Sequence, residues 1–263
     1  MIAPKALILA AGQGTRLRPH TDHKPKCMVE LLGKPMLHRQ LEVLESAGIK
    51  DLVLIGGYKA DKLNAPQTKI VLNPRFAETN MVSTLFCAES EMTDGEDLII
   101  SYGDIVYEPK VLQSLLATDA PIVIAVDNNW LDLWQSRMED PLSDAETLKL
   151  DANGNITELG KKPTSLAEIQ GQYMGLIKIR GDFIKTFKSF YHQLDKTQIY
   201  DGKDFDNMYM TSFLQLMIDA GHQAKAAFTE NGWVEVDSVE DLAHYEKMHE
   251  QGRLLALVKL QQS

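Results

Sequence analysis

Runs of apolar residues with short polar breaks organise the first half of the chain. "KALILA" reads as a buried strand, and "DLVLIGG", "KIVLN", "DLIISYGD" and "PIVIAV" read as further short strands bounded by turn residues. Between them lie segments of helical spacing. "MLHRQLEVLESAG" places Leu37, Leu41 and Leu44 on one face and stops at Gly48, "VSTLFCAESE" reads as helical, and "PKVLQSLLA" as a third helix. Residues 1–126 are thus a βα repeat with short connections, which predicts a mainly parallel sheet with helices on both faces. Such a sheet binds ligands beyond the carboxyl ends of its strands.

After Asp127 the pattern changes. "WLDLWQSRMEDPLSD" reads as loop or short helix, and "TLKLDANGNITELG" as a hairpin turning at Asn153-Gly154. "GQYMGLIKI", "AKAAFT" and "WVEVD" are strands, and helical stretches surround 182–194, 208–220 and 239–251. No repeat and no linker divides the chain. The expected fold is three-layer α/β/α with a Rossmann-like mixed sheet and a small substrate-covering subdomain. It forms a single domain, 1–263: a nucleotide-binding half, 1–126, and an acceptor-binding half with C-terminal helices, 127–263.

The chain of 263 residues carries a formal charge of -10 without a basic stripe, which argues against nucleic-acid binding. No apolar run approaches the length of a membrane span, and no signal peptide is apparent, so a cytoplasmic protein is expected. The amphipathic "RLLALVKL" at the end is expected to pack on the body or on a second subunit, which leaves a homodimer open. Cys27 and Cys87 read as reduced thiols. Cys27 is expected to be a small packed side chain, with a pKa lowered by the adjacent Lys26 as the minor alternative.

The chemistry concentrates in "LAAGQGTRLRPHTDHKPK", residues 9–26. Glycines at 12 and 14 let backbone N–H groups approach an anion closely. Arg16 adds a guanidinium fork, Thr15 a hydroxyl, and Lys26 a point charge on a proline-stiffened segment. The loop lacks the G-K-[ST] of a Walker motif and the third glycine of a dinucleotide fingerprint.

That run resembles the G-x-G-T-R-L-x-P-x-T…K-P-K signature of nucleotidyltransferases that activate sugar 1-phosphates and related phosphates. "GD" at Gly103-Asp104, "KKP" at 161–163 and "WVEVDSVEDL" resemble further motifs of that superfamily. "ETNMVSTL", the segment from Asn128 to Asp151, "ELGKKPTSLAEIQGQYMGL" and "NMYMTSFLQLMIDAGH" resemble bacterial CTP:phosphocholine cytidylyltransferases and their phosphonate and phosphoamide relatives. The resemblance implies Mg²⁺-dependent transfer of a cytidylyl group from CTP to a small phosphorylated or phosphonated amine. Sugar-1-phosphate transfer, or a non-catalytic nucleotide-binding subunit, stand as alternatives.

The resemblance also implies roles: Asp104 and Asp237 hold the metal, Lys26 stabilises the α-phosphate, and Arg16 with the loop amides holds the outer phosphates. Ala10, Ala11, Gly12, Gly14, Thr15 and Gly103 line the nucleotide, while Asn80 and Ser83 either read the base or cap a helix. Lys162 faces the acceptor phosphate. Trp130, Trp134, Tyr173 and Tyr209 are expected to cage a quaternary ammonium, with Asp204 and Asp206 adding charge.

Overall fold

The computed structural model describes residues 3–260. In chain order its strands are β1 (Lys5–Ala10), β2 (Glu30–Leu31), β3 (Lys34–Pro35), β4 (Leu52–Gly56), β5 (Lys69–Leu72), β6 (Leu98–Tyr102), β7 (Ile105–Tyr107), β8 (Ile122–Asp127), β9 (Leu148–Leu150), β10 (Ile156–Leu159), β11 (Gln172–Ile179), β12 (Ala224–Thr229) and β13 (Trp233–Glu235). The helices are α1 (Met36–Ser46), α2 (Met81–Phe86), α3 (Pro109–Ala117), α4 (Trp130–Arg137), α5 (Ile184–Gln193), α6 (Met210–Asp219) and α7 (Val239–Glu250).

Seven strands form the central sheet in the order β12-β8-β11-β6-β1-β4-β5. All run parallel except β11, which enters between β6 and β8 antiparallel to both. The sheet is therefore mixed and mostly parallel, as expected.

The period-two geometry of the strands divides the core into two layers. Ala6, Ile8, Leu52, Leu54 and Ile99 face α1, α3, α4 and α7, where Leu37, Leu44, Leu112, Leu133 and Tyr245 meet them. Leu7, Val53, Ile55, Leu98 and Ile100 face α2, α5 and α6, against Leu85, Phe187 and Phe213. Burial on both faces explains why these strands are continuous apolar runs with no alternation.

Two departures from the central sheet matter for the site. Beyond β6 the chain turns at Gly103-Asp104 and leaves the sheet as β7, which pairs antiparallel with β13. The hairpin β9/β10 stands apart, with Gly154 at φ 77° in its turn. α4, eight residues long, is the short helix that the sequence left open against a loop, while α2 ends at Phe86, short of the ten residues its pattern suggested. The C-terminal segment packs on the body: Leu254, Leu257 and Val258 are buried, and the Gly232 N–H donates to the Leu257 carbonyl. Among the described residues no helix is long and apolar enough to cross a membrane.

Candidate active site

The loop after β1 is held open by its own residues. Gly14 has φ 59°, and a Cβ there would lie 2.9 Å from Cβ of Lys26, so the left-handed turn and the close approach both require glycine. The Gly14 carbonyl accepts from Thr21 Oγ1 at 2.8 Å, and Leu17, fully buried, anchors the following turn. Arg16 remains exposed between these anchors. Pro25 then leads into a single turn in which Cys27 and Met28 are buried, and this sets Lys26 above the carboxyl end of the sheet.

Asp104 is delivered by the turn between β6 and β7. Gln40 of α1 braces that turn: its Nε2 donates to the carbonyls of Tyr102 and Ile105, at 2.9 and 2.7 Å, and its Oε1 accepts from Ser101 Oγ. Gly103 is packed so closely that a Cβ would lie 2.7 Å from the Leu9 carbonyl oxygen. Asp237 follows β13, whose Trp233 is fixed by an indole N–H donated to the buried Asp127 at 2.9 Å. Pairing of β7 with β13 brings the two aspartates together.

Lys26 lies between them. Its ammonium donates to Asp104 Oδ2 at 2.6 Å and to Asp237 Oδ1, while Arg16 meets the other oxygen of Asp237 at 3.2 Å. Glu235 completes a cluster in which one oxygen each of Asp104, Glu235 and Asp237 lies within 4.8 Å of the others. Asp104 Oδ1 is buried without a hydrogen-bond partner. Three hard carboxylate donors, one with an unused oxygen, fit a divalent cation.

The electrostatics follow from this crowding. Burial pushes Lys26 toward its neutral form, but Asp104 and Asp237 outweigh it and hold the ammonium well above its usual range. Burial likewise opposes ionisation of Asp237, and the charge of Lys26 reverses the effect, leaving its carboxyl below the usual range. Glu235 is pushed up to about 8, first by burial and then by Asp237 and Asp104. Behind them Arg137 forks onto Asp241 at 2.9 and 3.1 Å, and Asp241 Oδ2 accepts the backbone N–H groups of Asp237 and Ser238. Arg137 and Asp241 thus orient Asp237 without touching the cavities.

Two cavities open on the two sides of this cluster. The first is lined by Ala10, Ala11, Gly12, Lys26, Phe76, Asn80, Gly103 and Asp104, among others. Gly14 and Thr15 stand beside it in the loop and not on its wall. Asn80 both lines it and caps α2, its Oδ1 accepting from the Met81 N–H. Ser83 is absent from the wall; its hydroxyl donates to the Asp206 carbonyl and ties α2 to the segment before α6. Cys27 lies beneath this cavity, its thiol pushed up to about 12 by burial, which is the packed side chain and not a reactive thiolate.

The second cavity is lined by Trp134, Tyr173, Tyr209, Tyr102, Met81, Thr211 and four carboxyl groups: Asp144, Glu146, Glu235 and Asp237. Three of the four expected aromatics are here. Trp130 is not; it stands edge-on to Trp134, 5.9 Å between centroids, and packs into the core. Lys162 does not reach the wall either. Its ammonium donates to the carbonyls of Leu142 and Ser143 and so steadies the segment that carries Asp144 and Glu146. Asp206 pairs with Arg75 at 2.7 Å, and Asp204 caps its own turn.

Glu146 is pushed up to about 7, mainly by burial, with Asp144 and Asp201 adding to it. A carboxyl with a raised native pKa loses its contribution to stability as pH rises from its unfolded value toward 7. Glu146→Gln escapes that loss. The melting temperature of the variant relative to the natural protein is therefore expected to rise between pH 4.5 and pH 8, as thermal denaturation at the two pH values would read.

Two carboxylates of the site, Glu235 and Glu146, stand outside the expected set, and only the first is signalled in the sequence. In "WVEVD" the alternation puts Glu235 on the same side as Asp237, so the third carboxylate was accessible to a period-two argument. Glu146 carried no such sign, because it sits in an irregular segment whose direction depends on contacts distant in sequence.

A mostly parallel sheet, a glycine loop after its first strand and a lysine-bridged acid cluster at the carboxyl ends define a nucleotidyltransferase. The chain belongs to the MobA-like NTP transferase domain family, whose model matches residues 6–158. It is similar to cytidylyltransferases. A CTP:phosphoglutamine cytidylyltransferase of Campylobacter jejuni is 44% identical over 246 residues, 90% of this chain and 97% of that protein. A choline-phosphate cytidylyltransferase of Streptococcus pneumoniae is 37% identical over 94 residues, 34% of this chain and 41% of that protein. In fold, the chain matches the inositol-1-phosphate CTP transferase from T. maritima with a TM-score of 0.72 at 21% identity, covering 98% of this chain and 99% of that one.

Proposed function

We propose that the protein transfers a cytidylyl group from CTP to a small phosphorylated or phosphonated amine, with Mg²⁺ held by Asp104 and Asp237, and releases pyrophosphate. The observation that carries this reading is the Lys26 ammonium between Asp104 and Asp237, at the meeting point of the two cavities. The C. jejuni relative, alike over nearly its whole length, supports CTP as donor and a phosphorylated amine-bearing compound as acceptor.

In this reading residues 1–126 hold the nucleotide and 127–263 hold the acceptor. The first cavity draws its wall from the first half; the second draws its wall from the second half, apart from Met81 and Tyr102. An acceptor phosphate oxygen attacks the α-phosphorus, forming a new P–O bond, and the bond from that phosphorus to the bridging oxygen breaks as pyrophosphate leaves. Such a transfer asks the protein chiefly for position and charge. Mg²⁺ when bound neutralises phosphate charge. Lys26 donates to the α-phosphate oxygens, where charge develops. Arg16, two-thirds exposed and tied to Asp237 by one contact at 3.2 Å, is free to swing onto the outer phosphates.

The test is pyrophosphate release from each of the four common NTPs with phosphocholine, phosphoethanolamine, phosphoglutamine, a phosphonoamine and several sugar 1-phosphates. CTP with an amine-bearing acceptor is expected to exceed every sugar 1-phosphate by at least about tenfold in kcat/KM, on the order of 1.4 kcal/mol. A sugar 1-phosphate with the highest kcat/KM would overturn the reading.

A further inference from the structure

Resting on that function, the second cavity narrows the acceptor. Besides Glu235 and Asp237 its wall carries Asp144 and Glu146, and it includes no lysine or arginine. The Glu146 carboxylate is half-buried, and among the described residues no hydrogen-bond donor or ion pair meets it. The protein thus leaves a partly desolvated carboxylate on the cavity wall in want of N–H donors.

A trimethylammonium group offers none, since it has no N–H to give to Glu146. A protonated primary ammonium donates three N–H bonds and carries the charge that a partly desolvated carboxylate favours. We infer that Glu146 is the specificity-determining residue of the acceptor site and that it binds a primary ammonium of the preferred acceptor. The aromatic walls then shape the cavity and exclude water; they are not a quaternary-ammonium cage. Lys162, through Leu142 and Ser143, acts as a positioning residue for the Glu146 segment.

Steady-state kinetics with CTP and four acceptors test this: phosphoglutamine, its analogue lacking the α-amino group, phosphoethanolamine and phosphocholine. In the natural protein kcat/KM is expected to fall at least about tenfold from phosphoglutamine to the des-amino analogue, and phosphoethanolamine is expected to exceed phosphocholine. Glu146→Gln is expected to lower kcat/KM about 10- to 100-fold for the two primary ammonium acceptors, chiefly through KM. It should change the des-amino analogue and phosphocholine less than about threefold. Phosphocholine as the best acceptor, or an equal loss across all four in Glu146→Gln, would overturn the inference. CTP binding by calorimetry controls for folding of the variant. If that binding is lost, the acceptor order in the natural protein decides alone. Absence of turnover with CTP and every acceptor would instead sink the proposed function.

Discussion

Asp104→Asn and Asp237→Asn are each expected to lower turnover by roughly 10³-fold with the fold retained, equivalent to about 4 kcal/mol of transition-state stabilisation. An amide keeps the shape of the carboxylate and loses its charge. In the structure each aspartate supplies one oxygen to the three-carboxylate cluster, and Asp104 keeps a second oxygen buried with no partner. The two variants should differ in detail. Asp237→Asn also removes the partner of Arg16, so the KM for CTP should shift more than in Asp104→Asn. Both residues belong to tight turns held by backbone and by Gln40 or Asp241, so far-UV circular dichroism should be unchanged. Pyrophosphate release across a Mg²⁺ titration measures the effect. Near-natural rates at limiting Mg²⁺ in either variant would remove that residue from the metal site.

Lys26→Ala is expected to have two effects that share a cause. Turnover should fall by roughly 10² or more, the scale on which losing one preorganised charge-stabilising donor acts, and CTP binding should weaken less than kcat. Stability should also fall when divalent cations are removed. Without the ammonium, Asp104, Glu235 and Asp237 face one another largely buried. Removing one partner of such a set costs about 3–5 kcal/mol when fully buried. Here the carboxylates keep some contact with water, so the lower end is expected. Mg²⁺ should restore part of the loss, because a cation then occupies the charge balance that Lys26 held. Melting temperatures with EDTA and with Mg²⁺ check this. A variant as stable as the natural protein in EDTA, with turnover unchanged at saturating CTP, would leave Lys26 as a binding residue only.

Much of this site could be read from local sequence because its parts are loops that carry their own constraints. Gly14, Pro25 and Lys26 lie within thirteen residues, and each does in the structure what its side chain dictates locally: φ 59° at Gly14, an extended Pro25, a charge on a short turn. The parallel strands were equally plain. In β1, β4, β6 and β8 burial on both faces demands unbroken apolar runs, visible without any partner; the edge strand β5 is an apolar run too but stays largely exposed, with Leu72 at 58%. Glu235 was within reach through the alternation of its strand, once Asp237 was given weight.

Other features depended on tertiary contact. Trp130 and Trp134 are equivalent by spacing, four apart on one helix; packing of α4 against the sheet buries both in the core, and of the two Trp134 alone also reaches the cavity wall. Lys162 reads as a free cation until carbonyls twenty residues earlier in the chain are placed beside it. Ser83 reads as a cap or a base reader, and is neither, because the Asp206 carbonyl arrives from 123 residues away. Glu146 gains its character only from the low-dielectric wall around it and from Asp144 and Asp201.

Strand positions, the glycine loop after β1 and the identity of the charged groups follow from the sequence alone, since they rest on period, turn chemistry and side-chain type within a few residues. The meeting of Lys26 with Asp104 and Asp237, the second acid layer at Glu235 and the open carboxylate at Glu146 were decided by the fold. β7 must pair with β13 before residues 78 and 211 positions from Lys26 share one charge, and burial sets the strength of that charge only after the pairing is made.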